Sequence, residues 1–176
     1  MRTQDVSDLK SVERTSALAD RFEAWLNVVS SGHDGYLDIR NQTLNWTPLA
    51  RPVPQSTVAL VSTAGIHLRS QQPYDILNPH GDSSYREIPS ESSHGEFMVT
   101  HGHYNHGDAD EDINCVFPIE RIRELRDEGM VGETVQTFYG MMGFNPDPTH
   151  LLEETAPAIG HELKRQGAEL VVLSGG

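Results

Sequence analysis

Three short apolar runs, each ending in small or polar residues, limit what this chain can fold into. They are STVALVSTAG (56–65), GEFMVTH (95–101) and AELVVLSGG (168–176). Each is too short for a buried helix and has the length and composition of a buried strand. Segments of helical spacing lie between and around them. In FPIERIRELRDEG, Pro118 suits a first turn, Gly129 suits a C-terminal stop, and Ile119, Ile122 and Leu125 form an apolar stripe. Asp147 and Pro148 read as the cap and first turn of another helix. Its apolar face is Leu152, Ala156, Ile159 and Leu163, it ends at Gly167, and Pro157 is expected to kink or split it. Residues 14 to 28, RTSALADRFEAWLNV, form an amphipathic helix with Leu18, Phe22, Trp25 and Leu26 on one side, and the Gly-, Asn- and Pro-rich stretch 31 to 55 wraps the surface. Strands alternating with helices predict an α/β fold: a mainly parallel sheet with helices on both faces in one compact domain. Residues 1–55 are the N-terminal helix and surface wrap, and residues 56–176 are the α/β core.

Charge narrows the partners. Thirteen basic against 26 acidic residues give a formal charge of −13, which repels phosphate backbones and anionic lipid and argues against nucleic acid and membrane. No apolar run approaches a membrane span, and the N-terminus MRTQDVSDLKSVERT lacks the apolar centre of a secretion signal. With Cys115 as the only cysteine, no intrachain disulfide can form, which agrees with a cytoplasmic location.

In parallel sheets ligands gather at the carboxyl ends of the strands. Three loops are expected there: Ser62 to Leu68, His101 to Asp112, and Ser174 to Gly176. The second holds VTHGHYNHGDADED, with His101, His103 and His106 at i, i+2 and i+5. Three imidazoles so spaced after a strand can converge on one divalent ion, Zn²⁺ or Fe²⁺. Zinc hydrolases of the metallo-β-lactamase type use H-x-H-x-D-H there, but Asn105 stands in the place of the aspartate and removes an anionic ligand and a base. Alternatively, the histidines hydrogen-bond Asp108, Asp110, Glu111 or Asp112 within a crowded loop. His150 and His161 fall on a predicted helix without an obvious route back.

HGDSSYREIP (80–89) has no apolar pattern and reads as a polar loop. Arg86 there could clamp a carboxylate bidentately; the alternative is a turn organised by an Asx-type bond at Asp82. His67 and Arg69 follow the first strand and could bind an anion. Cys115 in INCVFP reads as a buried small hydrophobe. FYGMMGF (138–144) offers core or interface packing, or the wall of a pocket. No Ser-His-Asp elbow, P-loop or dinucleotide fingerprint is present.

Four stretches in order resemble the selenoprotein B family of the glycine, sarcosine, betaine and D-proline reductases. They are VALVSTAGIHLRSQQPYD (58–75), HGDSSYREIP (80–89), VTHGHYNHGDADEDINCVFPIERIREL (99–125) and GFNPDPTHLLEETAPAI (143–159). The resemblance implies a cytoplasmic subunit of a complex that reductively cleaves a C–N bond in an amino acid or its N-methylated relative. A selenocysteine or cysteine attacks carbon, a partner subunit contributes to substrate binding, and thioredoxin-type dithiols supply electrons. It implies catalytic roles for His101, His103, His106 and Asp108, including proton transfer to the departing amine. His67, Asp82, Arg86 and Asp112 would bind the small amino-acid-like substrate, with Asp108, Asp110 and Asp112 suited to an ammonium group. In the family the redox residue follows the strand aligned with AELVVL, so it is expected just beyond Gly176, at a UGA codon for selenocysteine read as a stop. Alternatively, the chain is a short relative working through the histidine loop. Two further readings stay open: a metal-dependent enzyme of the same fold with His101, His103 and His106 as ligands, and a non-catalytic subunit acting with a protein partner or as a homo-oligomer.

Overall fold

The computed structural model describes residues 47–175. The helix expected over residues 14 to 28, most of the stretch 31 to 55, and Gly176 lie outside them. The longest apolar run becomes strand β1, Val58–Ser62, buried at every position and therefore covered on both faces. Strands β2, Ile66–Leu68, and β3, Tyr85–Pro89, follow, then β4, Phe97–Val99, β5, Thr137–Met141, and β6, Leu170–Ser174. The main sheet has the order β3-β5-β1-β6. β5 and β6 run parallel to β1, and β3 runs antiparallel to β5. The expected α/β class with a mainly parallel sheet is observed.

Several elements differ from expectation for physical reasons. GEFMVTH does hold a strand, but β4 pairs with β2 in a separate two-stranded antiparallel sheet, Ile66 opposite Val99. YREIP, expected as loop, is edge strand β3; its backbone pairs with β5 while Arg86 and Glu87 stay outside the apolar core. TFYGM, not expected as a strand, is β5. A side chain at Gly140 would place Cβ 2.1 Å from the Ile66 carbonyl oxygen, so glycine allows β2 to lie against β5. Among the described residues β6 is an edge strand rather than a buried one, with Val171 40% and Leu173 76% exposed.

Helix α1, Gly107–Glu111, is a single short turn, and helix α2, Ile119–Asp127, is the predicted one. α2 buries Ile119 and Ile122 and stops at Gly129 with φ 69°. Leu125 is exposed instead of buried, because the last turn of α2 runs past the rim of the core. Further on, a π turn over Leu151–Thr155 leads into α3, Ala156–Arg165. Pro157 has no N–H for the carbonyl one turn back, and the wide turn before it accommodates that loss. The wide turn also moves the buried stripe. It runs Leu151, Thr155, Ile159, Leu163 in steps of four, leaving Leu152 and Ala156 exposed. Gly167, φ 79°, ends the helix as expected.

The core joins β1 and β5 to the segment before α2. Phe117 meets Phe97 and Phe138 edge-on, with ring centroids 5.7 and 6.3 Å apart. The Arg51 guanidinium forks onto the Glu169 carboxylate at 2.8 and 2.5 Å, and Thr57 N–H donates to the same carboxylate at 3.1 Å, which joins the approaches to β1 and β6. Among the described residues, no helix is long and apolar enough to cross a membrane.

Candidate active site

β1 and β6 end in register at Ser62 and Ser174, and both hydroxyls donate to the Val116 carbonyl, at 2.8 and 2.6 Å. This pins the end of the histidine and acidic loop to the carboxyl edge of the sheet. Beyond Ser62, Thr63 N–H donates to the Ser174 carbonyl at 3.0 Å. A Cβ at Gly143, just past β5, would meet the Thr63 carbonyl at 3.1 Å, so the ends of three parallel strands meet at Thr63. Gly65, φ 78°, then links the edge to the histidines. Its carbonyl accepts Thr100 N–H at 2.9 Å, its N–H donates to the Met141 carbonyl at 2.9 Å, and His101 follows directly after Thr100.

The three histidines are each committed differently. His101 is half-buried and accepts the His103 backbone N–H on Nδ1 at 3.1 Å. Burial pushes its pKa down, and neighbouring His103 and His106 push it further. His103 is exposed and stacks on Phe144, centroids 3.5 Å apart at 19°. His106 holds the Asp110 carboxylate at 2.8 Å through Nδ1. Tyr104 stands between them, its ring 4.8 Å from His101 and 5.9 Å from His106, and its hydroxyl donates to the Ala64 carbonyl at 2.9 Å. Burial, then the Asp110 charge, raises the Tyr104 pKa, so it stays a neutral donor there. Both readings of the cluster were open in the sequence; the loop-internal hydrogen bond is what His106 and Asp110 form. Among the described residues, no three His, Cys, Asp or Glu side chains are grouped to hold a metal ion. In this arrangement the His101 and His106 Nδ1 atoms are turned to partners inside the loop.

The remaining residues separate into structural and open groups. His67 is fully buried between Leu68 O, 2.8 Å from Nδ1, and Thr100 Oγ1, 2.9 Å from Nε2. Both its nitrogens are used inside the protein, and burial depresses its pKa, aided by the Arg86 and Arg69 charges against the Leu68 hydrogen bond. Asp82 forms the Asx-type turn: Oδ1 accepts from Ser84 N–H at 2.9 Å, and Oδ2 accepts from Asp75 N–H at 2.9 Å. Burial raises its pKa, but these bonds and the Ser84 hydroxyl outweigh burial and hold it below the usual range. Arg86 lies over the Tyr74 ring at 4.4 Å and donates to the carbonyls of Gln72, Tyr85 and Pro73 and to Ser84 Oγ. Four of its five N–H groups are thereby used, which leaves no bidentate fork for a substrate carboxylate. Asp112 caps the turn before Cys115 through Asn114, whose side chain and backbone lower its pKa. Asp108 is exposed on α1. Cys115 is exposed rather than buried, its thiol 3.9 Å from the Asp108 carbonyl oxygen, because the 3₁₀ turn Ile113–Cys115 directs Ile113 inward instead.

Thr63, Tyr104 and Phe144 complete the edge and were not singled out beforehand, although the reading of FYGMMGF as a pocket wall touches Phe144. Elsewhere, Ser83 Oγ meets His150 Nδ1 at 2.9 Å and Glu154 lies 3.4 Å from Nε2, in a cleft of about 460 Å³ also lined by His80 and Asp147. The edge as a whole combines exchangeable protons, an aromatic platform and the tips of three parallel strands, which suits binding and protonating a small polar molecule.

Residues 39–176 match the family model described as glycine/sarcosine/betaine reductase selenoprotein B. The D-proline reductase subunit gamma of Acetoanaerobium sticklandii is 39% identical over 131 residues, 74% of this chain and 53% of that protein. The glycine reductase complex component B subunits gamma of Carboxydothermus hydrogenoformans and Symbiobacterium thermophilum are 25% and 24% identical over 140 residues, 72% of this chain in each case, and 29% and 30% of those proteins. The chain thus spans about half the length of the first relative and under a third of the other two. No solved structure matches significantly.

Proposed function

The chain belongs to the glycine/sarcosine/betaine reductase selenoprotein B family, and from that premise we propose that it serves as a cytoplasmic subunit of a reductase complex that cleaves a C–N bond in a small amino-acid-like substrate. The observation carrying this reading is the convergence of Thr63, Ser174 and the His101–His106 loop at one sheet edge. A selenolate or thiolate supplied at this edge, by the stretch that follows β6 in the family or by a partner subunit, attacks the substrate carbon and expels the amine. A thiolate then attacks that selenium or sulfur, the substrate carbon leaves with the bonding pair and takes up a proton as the reduced product, and a dithiol reduces the Se–S or S–S bond so formed. His103, held toward solvent on the Phe144 face, is placed to give the departing nitrogen its proton, and His106 to take a proton from the substrate ammonium. Asp108 adds negative charge that favours a cationic ammonium. Asp82 and Arg86 shape the neighbouring loop, and His67 locks β2 to β4.

The test is to isolate the protein with the subunits that accompany it natively and supply reduced dithiothreitol. Glycine, sarcosine, betaine and D-proline are offered separately, and the reduced product is measured. Dithiol-dependent product from one of them is expected. An intact complex that reduces none of the four overturns the proposal.

A further inference from the structure

Resting on the reading of this edge as a substrate site, we infer that the loop presents two histidines of opposite hydrogen-bonding polarity, His101 offering an N–H and His106 a lone pair, with Asp110 as the positioning residue that sets the second. A backbone amide can only donate, so the His103 N–H at 3.1 Å fixes His101 Nδ1 as an acceptor. The proton of the neutral His101 ring is then on Nε2. An ionised carboxylate can only accept, so Asp110 at 2.8 Å fixes the proton of His106 on Nδ1 and leaves the Nε2 lone pair free. Asp110 N–H also donates to the His106 carbonyl at 2.9 Å, so ring and carboxylate are held on the same turn, four residues apart. Tyr104, between the two rings and latched to Ala64, keeps them apart.

This polarity matches one chemical class. A carboxylate oxygen accepts from His101, and an amine that still carries hydrogen donates to His106. A quaternary nitrogen has no N–H to give and forfeits the second contact. The site therefore favours primary and secondary amino acids over their fully methylated counterparts.

The ring tautomers are read directly by nitrogen NMR of the full chain labelled at histidine, at about pH 8, above the ordinary imidazole range. His101→Gln and His106→Gln assign the signals. In the unchanged protein His101 carries its proton on Nε2 and His106 on Nδ1. Asp110→Ala shifts His106 toward the Nε2–H form and leaves His101 alone, while Asp110→Glu, which keeps a carboxylate, retains the original pattern. Asp110 is exposed, and an unchanged circular dichroism spectrum certifies that the variants are folded. His106 found mainly as Nε2–H in the unchanged protein, or indifferent to Asp110→Ala, overturns the assignment. Glycine is expected to move the His106 Nε2 resonance and betaine at equal concentration to leave it; equal responses, a null response from both included, overturn the ligand class. These spectra do not depend on turnover. A complex without reductase activity but with the expected tautomers refutes the function alone, and the reverse result refutes the polarity alone.

Discussion

Replacing Gly65 by alanine tests the link between the sheet edge and the histidine loop. Its φ of 78° is a left-handed conformation, and an added Cβ would lie 2.3 Å from the Thr100 carbonyl oxygen and 3.1 Å from His101 Cβ. The left-handed backbone costs an alanine about 1–2 kcal/mol, and forced overlap in packed surroundings adds about 1–3 kcal/mol, so a loss of about 4 kcal/mol is expected. Gly167→Ala provides the control. It has the same hand, φ 79°, with nothing within 4 Å of the added methyl, so only the backbone cost of about 1 kcal/mol applies. In urea, with a slope of about 2 kcal/mol per molar, the midpoints fall by roughly 2 M and roughly 0.5 M. The difference between the two variants isolates the overlap from the backbone strain. Equal midpoint losses would falsify the close approach of the Gly65 turn to Thr100.

Acid should weaken the fold through His67 and His101, whose pKa values lie below the ordinary 6.5. The unfolded chain binds protons first as pH falls through about 6.5, so their contribution is complete above that value and declines below it; a urea midpoint unchanged between about pH 7.5 and about pH 5.5 contradicts this. Ser174→Ala should cost little because Ser62 still serves the Val116 carbonyl, Ser62→Ala about 1–2 kcal/mol, and the pair more than their sum, since a buried acceptor then loses both donors. Additive losses in that double-mutant cycle contradict the shared acceptor. Zinc titration followed by gel filtration tests the metal reading of the loop: stoichiometric zinc that is lost in the His101→Ala, His103→Ala pair shows that the loop closes into a ligand set, and zinc that survives that pair is held elsewhere.

What could be read beforehand follows from how each element is stabilised. β1 is sheltered on both faces, and so its sequence is an unbroken apolar run. β3 carries arginine, glutamate and proline because an edge strand needs only its backbone ladder to β5. β5 was obscured by Gly140, whose missing side chain makes room for Ile66. The stripe of the last helix was misplaced by one position near its start, since a π turn adds a residue that a regular period cannot anticipate. At the site, the clustering of His101, His103 and His106 was visible as spacing, but their commitments were not. Those depend on a backbone amide, on Phe144 from a distant segment, and on which of four nearby carboxylates reaches a ring. For the same reason, Arg86 reads in the sequence as free to clamp a ligand, whereas the fold surrounds it with the carbonyls of Gln72, Pro73 and Tyr85.

The most direct measurement of the central claim is turnover by the natively assembled complex carrying His106→Gln, with dithiol as reductant and the preferred amino acid as substrate. The account predicts intact assembly with kcat lowered by roughly 10²–10⁴-fold, the range for loss of a positioned acid or base. Full turnover by an assembled His106→Gln complex would contradict it.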